Sequence, residues 1–179
     1  MNVFILDESP IRAAEYHCDK HTIKMILESA QLLCTAHRVL DGKEQSLVIN
    51  GRQRKLFVHS DRSLDQTLYT STHVNHGCAV WVRESAQNYY WLYELMLELN
   101  NEFVRRYRKE RDHETICRLS AVLSQAPSNQ KDIGFTMPPL CMPDEYKVPG
   151  DVVRSYRNYY SKGKRSIATW TDTPIPHWF

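Results

Sequence analysis

Glycine is scarce in this sequence, with six residues among 179, and no two of them stand close enough to shape a phosphate-cradling loop. A P-loop, a GxSxG elbow and a Rossmann fingerprint are all missing, so nucleotide hydrolysis by a P-loop and dinucleotide redox chemistry fall away. The five cysteines, Cys18, Cys34, Cys78, Cys117 and Cys141, are odd in number and form no CxxC pair. That pattern argues against a disulfide framework and against a Cys-rich zinc site, and the thiols are expected to be buried and reduced. No apolar run approaches the ~20 residues a membrane span needs. Neither charge sign dominates: 23 basic and 21 acidic side chains leave a formal charge of +2, so an anionic partner has to be met by a local patch. The opening MNVFILDESP has no basic n-region and no extended apolar stretch. A secretory signal is therefore not expected, and a cytoplasmic location is. Internal repeats and low-complexity tracts are also absent.

What is present suits a globular chain. Hydrophobic residues make up 42% and charged residues 25% of the sequence, enough for one domain with a real core. The expected fold is mainly α, a single helical domain with two long central helices and a small peripheral β-hairpin. Val3 to Leu6 reads as a short strand or an extended tether. Ser9 and Pro10 then signal a helix start, and the helix can run from Pro10 to about Leu40, where Asp41 and Gly42 stop it. Asn50-Gly51 between two strand-like runs predicts a two-residue hairpin turn, with Arg52, Arg54 and Lys55 on the second arm serving as a phosphate grip or as a charged protective edge. A second long helix is expected from Asn75 or His76 to about Tyr107, and a third from Glu114 to Gln125. Five of the eight prolines fall between Pro127 and Gly150, in a connection too long for an ordinary turn. Asp151 caps a last short helix that Gly163 terminates, and the aromatic tail ATWTDTPIPHWF is expected to dock.

Chemistry concentrates in Tyr16 to Arg38. At 100° per residue, Lys20, His21, Lys24, Glu28, Gln31, Thr35 and Arg38 lie within about 60° of His17 on an otherwise apolar helix. Such a narrow polar stripe is expected to line a cleft. Lysine donates to an anion, histidine titrates near neutrality, and a glutamate holds a hydroxyl or moves a proton. A plain Lys24–Glu28 ion pair is the bland alternative. His73, Asn75 and His76 stand at the start of the second helix, where free amides favour anions, although Asn75 can be a simple cap. Arg83, Asn88, Trp91 and Arg105 on that helix offer guanidinium, amide and stacking groups, with a packing role for the tryptophan as the alternative. The rings Tyr156, Tyr159, Tyr160 and Trp170 alternate with Arg154, Arg157, Lys162, Lys164 and Arg165, a pattern used to hold single strands or flipped bases and equally used to pack a terminal helix. His17 and His21 with His73 or His76 could surround a divalent ion on paper. Without HExxH, a carboxylate-rich triad or a Cys pair, no metal and no cofactor is expected.

The segments DKHTIKMILESAQLLCTAHR, THVNHGCAVWVRES, NYYWLYELMLELNNEF and PPLCMPDEYK resemble a family of small, largely uncharacterised proteins of tailed phages. The resemblance covers most of the chain except the Asn50-Gly51 hairpin and implies a viral protein in an infected bacterial cytoplasm. In the order of its elements the chain also resembles the small helical pyrimidine-dimer DNA glycosylases of phages. That family uses an N-terminal α-amine as nucleophile and a first-helix glutamate, which implies a role for Glu28, or less well Glu15. Asn2 disfavours removal of Met1, so the amine departs from the pattern, and Lys24 becomes the substitute imine-forming amine where burial and neighbouring cations favour its neutral form.

These readings converge on recognition of a phosphorylated nucleoside in a cleft between the Tyr16 to Arg38 stripe and the Thr72 to Trp91 segment, leaning to an enzyme that acts on a DNA base or nucleotide. Lys24, Glu28 and His21 are the expected catalytic set. His17, Lys20, Gln31, His73, Asn75, His76, Arg83, Asn88, Trp91 and Arg105 are the expected ligand-binding set. The alternatives are a non-catalytic, homo-oligomeric sponge for a cyclic nucleotide signal of host defence, and a protein that engages a host factor through its aromatic tail. No membrane partner is expected.

Overall fold

The computed structural model describes residues 1–179 and is mainly α-helical, with seven α-helices and one two-stranded antiparallel sheet. Helix α1 spans Pro10–Tyr16 and α2 spans Asp19–Asp41. Ser9 opens α1 with Pro10 in its first turn, and its hydroxyl accepts from the Arg12 amide. The single helix expected from Pro10 to Leu40 is thus two, because His17 and Cys18 adopt extended backbone angles. Neither glycine nor proline breaks the chain here. Distant groups take its backbone instead: Arg106 donates to the carbonyls of His17 at 2.7 Å and Glu15 at 2.8 Å. The Cys18 amide donates to the Tyr160 hydroxyl at 3.2 Å, and the Asp19 amide donates to the Thr169 carbonyl at 2.9 Å. Each satisfied group removes the penalty that a helix break would otherwise impose.

Strands β1 (Gly42–Ile49) and β2 (Arg52–His59) form the hairpin, with Ile49 opposite Arg52. Asn50 and Gly51 have φ of 51° and 73°, the left-handed pair that a tight hairpin turn with the strands' own twist requires. A short helix α3, Arg62–Thr67, follows; the Asp61 carboxylate caps it by accepting from the amides of Ser63 and Leu64.

Helices α4 (Gly77–Glu84) and α5 (Ala86–Arg106) replace the expected long second helix. Ser85 is buried with φ −147°, and its hydroxyl accepts from the Gln87 and Ile133 amides, while the Ala86 amide donates to Lys131 across the chain. Helix α6 spans Glu114–Leu123, capped by the His113 ring. Between residues 127 and 150 the chain is mostly extended, yet it is tied down. Trp81 donates to the Thr136 carbonyl at 2.8 Å, and Asn88 exchanges two hydrogen bonds with Thr136, both at 2.9 Å. Helix α7, Val152–Asn158, widens into a looser turn through Tyr159–Gly163. A Cβ at Gly163 would stand 2.7 Å from the Tyr159 ring, so glycine is needed for that close approach.

The core is one connected cluster of 31 buried side chains drawn from residues 3–6, the inner faces of α1, α2, α4, α5 and α6, and Tyr156 and Tyr160. Residues 3–6 are a buried tether outside any strand, held by i to i−2 bonds from Ile5 to Val3 and from Leu6 to Phe4. Helix α2 packs on α4, α5, α6 and the base of the hairpin, and its most extensive partner is α5. The aromatic tail folds back, with Trp170 donating to the Tyr16 carbonyl and Trp178 set edge-on to Tyr16 at 5.6 Å between ring centroids. The expectation of buried thiols needs correcting at two positions, since Cys117 is exposed and Cys141 half-buried. No helix is long and apolar enough to cross a membrane.

Candidate functional site

The polar stripe on α2 does not have one fate. Arg38 and Thr35 are buried and work on the protein itself. Arg38 donates to the carbonyls of Tyr69, Phe57, Asp65 and Leu68 and to the Asp65 carboxylate at 2.5 Å, clamping the hairpin and α3 onto α2. The Thr35 hydroxyl is bound to both the amide and the carbonyl of Thr72, and Gln31 is half-buried on the helix edge. His17 points into the core, its Nδ1 2.6 Å from the Ala13 carbonyl and its Nε2 without a partner. Burial holds its pKa down at about 3, so it is neutral at physiological pH and out of reach of a ligand.

Of the remaining stripe residues, His21, Lys24 and Glu28 edge a groove of about 180 Å³, and Lys20 lies outside it. His21, Lys24, Met25 and Glu28 of α2 form one wall, Met1, Asn2 and Phe4 the other, and Lys164 reaches in from beyond α7. The tether creates this groove: Val3, Ile5 and Leu6 are fully buried, which pins the chain beside α2 and stacks the Phe4 ring on His21 at 4.7 Å. His21 Nδ1 lies 2.7 Å from the Tyr160 hydroxyl. Burial keeps Tyr160 protonated, and its hydroxyl also accepts from the Cys18 amide and donates to Cys18 Sγ at 3.6 Å. His21 has its pKa lowered to about 4, first by burial and then by the Lys164 and Lys24 charges, and is therefore neutral at pH 7.

Lys24 and Glu28 are 3.2 Å apart, the lysine side chain 65% exposed and the glutamate 15%. The ion pair weighed as the bland reading therefore exists, and it sits in the groove wall. Lys24 lacks the burial that an imine-forming amine needs, so it is suited to clamping an anion. Lys20 is exposed one turn earlier on α2. Lys164 is half-buried, its ammonium 4.8 Å from the Tyr159 ring centre. Two ammonium groups, a neutral imidazole and a carboxylate thus converge on one small volume. Sites that enclose a whole small molecule are roughly 300–1,000 Å³, so this groove takes one group of a ligand, such as a phosphate or a base edge.

The second helix contributes less than its sequence offered. His76, not Asn75, caps α4, its Nδ1 accepting from the Cys78 amide at 3.2 Å. Burial lowers the His76 pKa, opposed by the Glu28 carboxylate, and His76 does not line the groove. Asn75 and His73 are exposed, and His73 Nδ1 is bound to the Thr72 hydroxyl. Arg83 donates to the Val74 carbonyl, Asn88 serves Trp81 and Thr136, and Trp91 is buried with its indole donating to Glu8. These three hold the fold and do not line the groove. Arg105 lies elsewhere, bidentate to Glu102 and bound to the Asp172 carbonyl, at the edge of a cavity of about 500 Å³ under the C-terminal tail. That cavity is larger, but its Arg105 guanidinium is already paired with Glu102.

Sequence reasoning left out Met1, Asn2, Phe4 and Met25 as site residues, and it grouped Lys164 with a different cluster. Nothing in local spacing marks residues so far apart in the chain as neighbours. No known protein-family model, curated protein or solved structure matches this chain.

Proposed function

We propose that the groove between the N-terminal tether and α2 recognises a phosphorylated nucleoside, and that the protein acts on a base or nucleotide, with DNA as the first candidate substrate. The observation that carries this reading is the meeting of Lys24, Lys164, His21 and Glu28 around a volume of about 180 Å³. The two lysines supply positive charge for a phosphate at the groove mouth. His21 is uncharged, and its second ring nitrogen is available to pair with a polar edge of a base. Glu28 accepts a hydroxyl or takes a proton; its partial burial beside Lys24 keeps it close to any ligand that displaces the ammonium. On this reading the chain works as one helical domain, with α2 and α5 as its two central helices and the hairpin peripheral. The sequence resemblance to tailed-phage proteins supports a setting in an infected bacterial cytoplasm.

The test is direct. Wild type and Glu28→Gln are incubated with damaged or modified DNA and with cyclic oligonucleotides, and products and retained species are identified by mass spectrometry. Turnover by wild type that Glu28→Gln loses while still binding supports the enzyme reading. Retention of an intact cyclic nucleotide by both proteins replaces it with the sponge. If wild type neither changes nor retains any of these molecules, recognition of a phosphorylated nucleoside is wrong.

A further inference from the structure

Beside the groove lies a second constellation that the nucleotide reading does not use. Cys78 Sγ and Cys141 Sγ are 3.7 Å apart, and a ring nitrogen of His76 lies within 4.8 Å of both sulfurs. Two thiolates bound to one tetrahedral zinc ion at about 2.3 Å stand about 3.8 Å apart, and a thiolate and an imidazole nitrogen about 3.6 Å apart. The sulfur pair is therefore already at the spacing of a shared metal edge, and the imidazole needs only a small approach.

The surroundings fit the same occupant. His76 caps α4 and Cys78 lies in its first turn, so both are fixed by one helix start. Cys141 comes from the extended segment and is held there by Asn2, whose side-chain amide donates to the Cys141 carbonyl at 2.8 Å. The Val3 amide donates to Cys78 Sγ at 3.4 Å, the kind of bond that stabilises a ligating thiolate. Because His76 Nδ1 accepts from the Cys78 amide, the lone pair is on Nδ1 and the proton on Nε2. A metal would take that same Nδ1 lone pair in place of the Cys78 amide, while Nε2 keeps its proton. Cys78 is buried while His76 and Cys141 are half-buried, which leaves one side of the cluster open.

A second trio, His37, Asp41 and His59, is equally close-set but chemically unsuited. Asp41 already accepts from the amides of Ser128 and Asn129 and from the Asn129 side chain. The trio also offers no thiolate, and His59 Nδ1 is taken by the Asp61 amide just as His76 Nδ1 is by the Cys78 amide.

We propose that His76, Cys78 and Cys141 bind a single zinc ion, with a fourth coordination position open to solvent beside the groove. Two thiolates and an imidazole select zinc over magnesium or calcium, and three protein ligands are the donor count of sites that keep a position for water or substrate. The ion would also fasten the 127–150 segment to α4. Sequence spacing hides the site because 63 residues separate the two cysteines.

The experiment reads metal directly and needs no activity. The reduced protein is loaded with Zn²⁺, freed of excess metal by gel filtration and assayed for metal content; Co²⁺ loading reads the ligand set by its thiolate charge-transfer absorption. One zinc per chain is expected, retained by Cys117→Ser and lost from Cys78→Ser and Cys141→Ser, with His76→Ala weakening affinity at least about tenfold. Should the cysteine variants not fold, alkylation mapping of wild type decides: zinc must protect Cys78 and Cys141, and not Cys117, until a chelator is added. A zinc-exposed wild type that carries no metal, alkylates at both cysteines, or yields an intact Cys78–Cys141 disulfide in place of bound zinc overturns the proposal.

Discussion

The two halves of α2 carry similar polar residues at the same helical spacing and use them in opposite ways. From Arg38 back to Gln31 the polar groups are turned on the protein: Arg38 holds four carbonyls and a carboxylate, and Thr35 holds Thr72. From Glu28 back to Lys20 they edge solvent and a groove. What differs is the neighbour. The polar face of the C-terminal half is covered by the hairpin and α3, whose carbonyls need donors, whereas that of the N-terminal half meets the tether of residues 1–6, Tyr160 and Lys164 and is left with a groove. Polar periodicity marks a face; what is packed on that face decides between scaffold and site.

The comparison breaks most visibly at Arg38. Arg38→Met leaves the Asp65 carboxylate and several carbonyls without their donor, and an expected loss of about 3–5 kcal/mol should show as a large drop in urea midpoint. Arg106→Met is expected to cost a similar amount, because the carbonyls at the α1–α2 break lose their donor and Glu102 is left with Arg105 alone. If either variant keeps wild-type stability, the clamp assignment is wrong.

Acid should act on both halves at once. His17, His21 and His37 have pKa values lowered, chiefly by burial, to about 3, about 4 and about 4, from the 6.5 expected when unfolded. As pH falls below 6.5 the unfolded chain takes up these protons before the folded one does. Stability is thus complete above that pH and declines down to about 4, by up to about 1.4 kcal/mol per pH unit for each histidine. Urea midpoints between pH 7 and 4.5 measure the slope, and His17→Gln should reduce it by about one proton's share.

Asn88→Ala probes a residue that sequence reasoning gave to the ligand and the structure gives to the 127–150 segment. Losing its bonds to Trp81 and Thr136 should lower stability by about 1–3 kcal/mol, with ligand retention by the folded fraction unchanged. The smallest stability effect is expected at Lys24→Ala. An exposed ion pair contributes little, so the urea midpoint should shift by no more than about 0.5 kcal/mol, while affinity for a phosphorylated ligand falls at least about tenfold. Unchanged affinity would remove Lys24 from the site.

Much of the local structure was legible in the chain. Ser9-Pro10 opened a helix, Asn50-Gly51 made the turn, and Asp151 capped α7, because each rests on bonds or dihedral preferences that span only a few residues. Lys24, Glu28 and His21 of α2 do line a groove, but its other wall is the tether and not the expected Thr72 to Trp91 segment, whose Arg83, Asn88 and Trp91 are turned to the scaffold. The breaks at His17-Cys18 and Ser85 were not legible, since no glycine or proline marks them. Their extended backbones are stabilised by groups far along the chain, Arg106 and Thr169 in one case and Lys131 in the other.

By itself, then, the sequence determined where α1, α6, α7 and the hairpin turn start, that no helix spans a membrane, and which face of α2 carries polar groups. Only the tertiary structure decided that Arg38 is a clamp, that Phe4 and Lys164 complete a groove with Glu28, and that Cys141 stands 3.7 Å from Cys78. The physical reason is range. Caps, turns and periodicity are set by contacts within about one helical turn, whereas the partner of a buried donor or a thiol is chosen by whichever distant segment the packed core brings to it.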